Sequence, residues 1–467
     1  MKSLARYVVL IITAVVITAS CSNGKEIPSD GNVAVNRWTE RLMKKFYLWN
    51  HKLDDFRGDY SKSYDSFLDD MLRHVDKKGH ANSLDGYVRN SVRYYYSYIK
   101  TDRPQTRGEL DKSNDTGIRL MGFSDQMGGS LAILSVTPGT SAARNKLHRG
   151  DLILKVDGEK INRKNYSTLA NKASFSTCSL EVRGKVGDNI KTREVYLVKE
   201  KYMDPGIYMA EVSGKTAYLL YNSFNVCNDE KLIETFNDFK QKGASELILD
   251  LRHNGGGHLI SSQLLATLIS GEKVRGKVYA KMSYNDDRRD LDHDIKFGDQ
   301  HDDSHNDKYK YLADKAFDAS LNLDHVYIIT SFYTASASEM VINGLRGAGI
   351  EVHLIGTTTN GKNVGMEVFS KKIKFDEKEY NFQFAPITFK ISNGRGESDY
   401  SDGFEPDCKV ERYKIADFFT PADQPYATAL EWIKNGVKPS PTRVRVTPQV
   451  LFPKSSPVPI IMPDHRE

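Results

Sequence analysis

The chain has 467 residues, more than a single hydrophobic core can use, so several domains are expected. Hydrophobic residues make up 39% and charged residues 27%, the balance of a globular protein. The formal net charge of +5 is small and scattered, and Lys2 and Arg6 supply two of those charges at the very start, so a nucleic-acid partner is not indicated.

Residues 1–21 read as a targeting segment. Lys2 and Arg6 precede an apolar run from Tyr7 to Ile17, short for a membrane span and of the right length for a signal-peptide core. Ala19 and Ser20 before Cys21 resemble a bacterial lipobox, in which the cysteine is lipidated and becomes the new N-terminus. Thr18 stands where Leu, Val or Ile is usual, which leaves plain secretion to the periplasm as the alternative. The expectation is an exported protein, lipid-anchored in the bacterial envelope and facing the periplasm or the outer surface, with residues 22–32 as a flexible tether. Cys178, Cys227 and Cys408 lie far apart without C-x-x-C spacing, so neither a zinc site nor a disulfide framework is suggested, and they read as small buried residues.

Residues 33–110 read as a small helical domain. Trp38, Leu42 and Phe46 recur four apart, and Phe67, Met71 and Val75 repeat the stripe. "YYYSYI" at 94–99 switches to strand composition. From Asp115 onward "TGIRLMGF" and "LAILSV" read as strands. "TPGTSAARNKLHRGDLILKVDGEKIN" (137–162) then reads as turn, short helix, Gly-Asp turn, strand and Asp-Gly hairpin. Its Pro138-Gly139, Ala142-Ala143, Leu147, Gly150-Asp151, Ile153 and Asp157-Gly158 resemble a PDZ domain, here given residues 111–200. That resemblance implies peptide binding by strand addition, with Gly117, Ile118, Arg119 and Leu120 in the ligand loop. Arg119 stands where such loops carry glycine or a small apolar residue.

Residues 201–436 alternate strand and helix: "TAYLLYNSF", "NDEKLIETFNDFKQKG", "ELILDL", "HLISSQLLATLISG", "VYIIT", "ASEMVINGLRGAG", "VHLIG". The series predicts a layered α/β core with a largely parallel sheet and a site beyond the carboxyl ends of its strands. The charged stretch 284–311 carries His293, His301 and His305 but reads as a solvated insertion, and no metal is expected. Residues 437–467 are proline-rich and read as an extended tail.

Three segments of this core carry chemistry. "DLRHNGGGHL" (250–259) ends a buried strand in three glycines, whose amides could face an oxyanion. "SFYTASASEM" (331–340) places Ser336 at a helix N-terminus, where the dipole favours developing negative charge; Ser338 competes with it, and a plain helix cap is the bland reading. "GTTTNGKNVG" (356–365) satisfies the start of a P-loop through Gly356, Gly361 and Lys362. Asn363 replaces the Ser or Thr that would hold magnesium, however, and a strand follows where a helix is required. Lys362 in apolar surroundings can instead serve as a general base, as in Ser–Lys dyads. His325 and His353 show no Asp partner motif.

A PDZ domain, "DLRHNGGG", "TASASE" and "GKNVG", in that order, resemble the tail-specific (C-terminal processing) serine peptidases over residues 115–430. The resemblance implies an α/β multidomain protein with a ClpP/crotonase-like peptidase core. It makes Ser336 the nucleophile, Lys362 the base, and the amides of Ala337 and Gly256 the oxyanion hole. "DGFEPD" (402–407) and "DQPYATALEWI" resemble later family elements. Met366 replaces a glutamine and Gly347 an aspartate found in members of the family, which leaves the third residue unassigned. The expected partners are protein or peptide substrates and, through the lipid, a membrane; no cofactor is required. Whether the chain forms a homo-oligomer is left open. The alternative is a catalytically weak or inactive PDZ lipoprotein that only binds peptides, a reading Met366 and Arg119 favour.

Overall fold

The computed structural model describes residues 29–77, 84–89, 92–102, 112–125, 128–162, 164–186, 189–298, 307–375, 378–410, 415–440, 449–451 and 461–466. Residues 1–28 with Cys21, His301 and His305, and most of the proline-rich tail lie outside them. Among the described residues no helix is long and apolar enough to cross a membrane.

The chain divides into two units, one made of residues 1–104, 367–387 and 464–467, the other of 105–366 and 388–463. In the first, the helix Ser29–Phe46 begins inside the stretch expected to be a tether. With Tyr64–Lys77 it buries Trp38, Leu42, Phe67, Met71 and Val75 of the expected stripes, whereas Phe46 is only half-buried. The unit is not helical throughout. Gly86–Arg89 and Val92–Tyr95 form a hairpin, and Tyr98–Asp102 pairs antiparallel with Lys378–Ala385, more than 270 residues downstream. Alternation on that distant strand explains the pairing: Phe382 and Phe384 are fully buried, one edge-on to Tyr64 and the other to Trp38.

In the second unit the expected PDZ elements form a sheet in the order Asn189–Leu197, Cys178–Val186, Leu152–Val156, Gly128–Val136, Ile118–Asp125, with Gln449–Leu451 at its end. Asp157 and Gly158 both have positive φ (48° and 77°), as an Asp-Gly hairpin turn requires. Glu200–Met203 closes the domain by pairing with Lys112–Asp115.

The second body of this unit is a sheet in the order Ile207–Ser213, Thr216–Tyr221, Glu246–Asp250, His325–Thr330, Glu351–Gly356, Cys408–Lys409. The first pair is antiparallel and the remaining pairs are parallel. Alternate residues serve opposite faces. Ala217, Leu219, Leu247 and Leu249 meet the helices Asp229–Gln241, Leu259–Ser270, Asp307–Ala319 and Ala337–Gly347. Tyr218, Leu220, Ile248 and Ile329 meet the helix Gln424–Asn435 through Tyr426, Ala429 and Trp432. Cover on both faces is why these strands read as continuous apolar runs. Their carboxyl ends, at Asp250, Thr330 and Gly356, feed the three segments singled out above. Within the charged insertion, His293–Lys296 pairs with Val278–Tyr284.

Candidate active site

The strand His325–Thr330 turns sharply into the helix Ala337–Gly347, and Ser336 sits at the bend with φ 62° and ψ −119°. For a residue with a Cβ this is strained backbone, storing on the order of 1–3 kcal/mol that the surroundings must hold. They hold it through the other hydroxyls of the stretch. Ser331 Oγ donates to the Arg252 carbonyl, Thr334 Oγ1 to that of Leu251 (2.8 Å) and Ser338 Oγ to that of Asn254 (3.0 Å). Ser338 is thereby occupied as a staple. Ser336 holds the N-cap position of the helix, with Glu339 three residues on accepting from its amide as in a capping box, while its buried Oγ has no hydrogen-bond partner.

The glycine loop presses on this turn. Gly256 has φ 110°, and a Cβ added there would meet Ser336 Cβ at 2.8 Å and the Ala337 nitrogen at 3.1 Å. Only glycine permits that approach. The Gly256 amide, expected to face an oxyanion, is engaged within its own loop. It donates to Asn254 Oδ1 (2.9 Å), because the asparagine closes a tight turn on the residue two positions on. Ala337, as the first helical residue, has an amide with no acceptor inside its helix.

Glu339 joins the Ser336 turn to the Lys362 loop, a role not expected from the sequence. It is fully buried, and its Oε2 accepts from the amides of Ser336 (2.9 Å) and Lys362 (2.8 Å). Its Oε1 accepts from the Gly361 amide and Thr359 Oγ1, both at 2.6 Å. Burial pushes its carboxyl up to about 7, against these four hydrogen bonds, which act the other way. The only signal in the sequence was an acid three residues after a helix-opening serine, the spacing of a capping box. Lys362 itself is buried. Its loop is backed by the "DGFEPD" element: a Cβ on Gly361 would strike the Ser401 carbonyl at 2.1 Å, and Phe404 N donates to Thr359 Oγ1 at 2.7 Å. The next element, Val364–Phe375, is a strand, so no P-loop forms.

Other singled-out residues lie elsewhere. Gly347 closes an 11-residue helix, about 16 Å from the Ser336 end at 1.5 Å per residue, and a Cβ there would strike Asn393. An aspartate at that position could not orient Lys362. Met366 is buried. His325 and His353 lie on the sheet near the amino ends of their strands, His325 held between Asp324 (2.9 Å) and Glu246 (2.7 Å). His253 lies in the glycine loop, but its Nε2 is 3.4 Å from Arg149 Nη1, which can only donate. Burial first, and then Arg149, Arg252 and Arg119, push its pKa well below the usual value, so it is a neutral acceptor. Arg252, also fully buried, bonds Asp250 and makes a two-pronged pair with Asp423 (2.8 and 2.6 Å).

At the PDZ loop, Ile118 and Leu120 are buried in the domain core, whereas the charge of Arg119 bears on Asp204 and Tyr208. The Gly117 amide donates to Asp115 Oδ1 (2.8 Å). Of the remaining cysteines, Cys178 and Cys408 are buried, whereas Cys227 is exposed, contrary to expectation.

A strained serine at a strand-to-helix bend, at the carboxyl edge of a parallel sheet and locked to a buried lysine loop, defines the class: a serine-type peptidase. Residues 215–410 match Peptidase family S41 and residues 107–175 match the PDZ domain. The chain is similar to the carboxy-terminal processing protease CtpA of Bacillus subtilis (strain 168), 22% identical over 459 residues, covering 96% of this chain and 84% of that one. A carboxyl-terminal-processing protease of Picosynechococcus sp. is 24% identical over 281 residues, 58% of this chain and 61% of its own. A crystal structure described as an S41 protease of Bacteroides fragilis NCTC 9343 superposes with a TM-score of 0.64 at 23% identity, over 86% of this chain and 97% of the other, and shows the same fold.

Proposed function

We propose that the protein is an envelope serine endopeptidase that cleaves protein or peptide substrates, near their C-termini, with a Ser336–Lys362 dyad. The observation that carries this is the shared carboxylate. Glu339 Oε2 accepts from the amides of both Ser336 and Lys362, while Ser336 Oγ is left unpartnered in a strained turn. Ser336 Oγ attacks the substrate carbonyl carbon and Lys362 takes its proton. The oxyanion forms beside the Ala337 amide at the positive end of its helix. A second donor comes from the glycine triplet; for Gly256 this requires exchange of Asn254 Oδ1 for the oxyanion. Collapse expels the amine, which takes the proton from Lys362. Water, deprotonated by the same lysine, then hydrolyses the acyl-enzyme. Ser336 is fully buried, so the surrounding loops must part before a polypeptide enters.

Cleavage of casein by the soluble form lacking residues 1–21 tests the chemistry. Ser336→Ala and Lys362→Ala should each lower kcat by about 10³-fold or more with casein still bound. Cleavage retained in Ser336→Ala would refute the nucleophile. No cleavage by the unsubstituted form favours the peptide-binding reading. The anchor is a separate proposal: an alkyne-palmitate label should enter the full-length protein in bacteria and be lost in Cys21→Ser.

A further inference from the structure

A PDZ domain takes its ligand as an added strand on one sheet edge. Here that edge is Ile118–Asp125, which follows the Thr116–Gly117 loop and pairs on its other side with Gly128–Val136. The edge is not open. Gln449–Leu451, from the proline-rich tail, pairs with it antiparallel: Gln449 opposite Ser124, Val450 opposite Phe123, Leu451 opposite Gly122. We propose that this tail segment is an internal ligand of the PDZ edge, which an extended peptide must displace. The proposal rests on the reading of that edge as the peptide-binding site.

Three observations converge on it. An uncovered strand edge exposes a row of unpaired amides and carbonyls, and the tail satisfies part of that row. The direction is that of a ligand: moving from Gln449 to Leu451 the tail advances from Ser124 toward Gly122, hence toward Gly117. The occupant is internal, since residues 452–467 follow Leu451, and the loop suits an internal occupant. Its Gly117 amide already donates to Asp115 Oδ1, which withholds from a terminal carboxylate a donor it would need. The edge as built therefore takes extended segments that continue past the site, and free C-termini less well.

The tail is tethered. Eight residues, 441–448, separate Ser440 from Gln449, and a short tether gives an effective concentration on the order of millimolar. Against a peptide of weak intrinsic affinity, such a ligand lowers apparent affinity about tenfold.

The test compares three soluble forms: the chain lacking residues 1–21, the same chain ending at Ser440, and the same chain with Val450→Pro. The probe is a fluorescein-labelled, C-terminally amidated peptide of residues 446–456, read by anisotropy. Truncation and Val450→Pro should each tighten binding about tenfold, and a free acid ending at Leu451 should bind no better than the amide. Equal affinity in all three forms overturns the proposal, as does a strong preference for the free acid. A second measurement needs no loss of the tail. Ser124→Cys with Gln449→Cys, in a Cys227→Ser background, should oxidise to an intramolecular disulfide with diamide, because directly opposed strand residues lie within bridging distance. Failure to cross-link also overturns it. Neither readout uses catalysis, so a loss of the Ser336–Lys362 reading and a loss of this one are told apart.

Discussion

Glu339 ties the Ser336 turn to the Lys362 loop. A carboxylate has four lone-pair directions, and here four donors use them: the amides of Ser336, Gly361 and Lys362 and the Thr359 hydroxyl. Glu339→Gln keeps the shape but turns one oxygen into an amide NH2 that cannot accept, so two of the four donors face a donor. We expect kcat to fall about 10²-fold with KM little changed, because the carboxylate holds the machinery and not the substrate. The pH dependence follows from the same atoms. The folded carboxyl titrates near 7 and the ordinary one near 4.5, both above the range in which the protonated form is shared by the two states. Below about 7 one oxygen gains a proton and releases a donor, so activity should decline on the acid side of a limb near 7. Glu339→Gln should remove that limb, and kcat profiles of the two proteins from pH 5 to 9 check it. Stability runs the other way: between 4.5 and 7 the folded state binds more protons than the unfolded, so this group's contribution declines as pH rises.

At the scale of elements, Arg252 ties the glycine loop to the turn before Ser336 and to the start of the C-terminal helix. Its guanidinium spans Asp250, at the end of one strand, and Asp423, which begins the helix Gln424–Asn435, and its carbonyl receives Ser331. Asp423→Ala would leave a buried guanidinium with half its partners, which costs about 3–5 kcal/mol. Urea unfolding followed by circular dichroism should show that loss as a lower midpoint with an unchanged slope. Joint replacement by Arg252→Leu, Asp423→Leu and Asp250→Asn should recover part of it, since no uncompensated buried charge is then left. This clamp was not legible in the chain, because 171 positions separate its partners. The strands and helices of the core were legible, since burial on both faces of the sheet leaves uninterrupted apolar runs. The placement of the Ser336 and Lys362 segments at the carboxyl ends of core strands was legible too, from the order of strands and helices. The engagement of Gly256 by Asn254 was not, since an Asx turn leaves no trace beyond an asparagine near a glycine.

At the scale of the whole molecule, the N-terminal unit is built from stretches far apart in sequence, 1–104, 367–387 and 464–467, and this decides what deletion would do. A contiguous N-terminal domain could be removed with its own core. Here Phe382 and Phe384, on a strand inside the peptidase half of the sequence, have Tyr64 and Trp38 as ring partners. Tyr98–Asp102 supplies that strand's neighbour in the sheet. Deleting residues 29–104 would therefore strand two fully buried phenylalanines and a row of ladder amides on an exposed hairpin. Each phenylalanine exposed gives up on the order of 1.5–3 kcal/mol of burial, and the bare edge invites pairing with other copies. The truncated protein should bind a dye for exposed apolar surface and aggregate on size-exclusion chromatography. Replacing Phe382 and Phe384 with Ser and Thr in the truncated form should restore a monodisperse peak. A monodisperse truncated protein without those replacements would mean that residues 367–387 fold without the N-terminal helices.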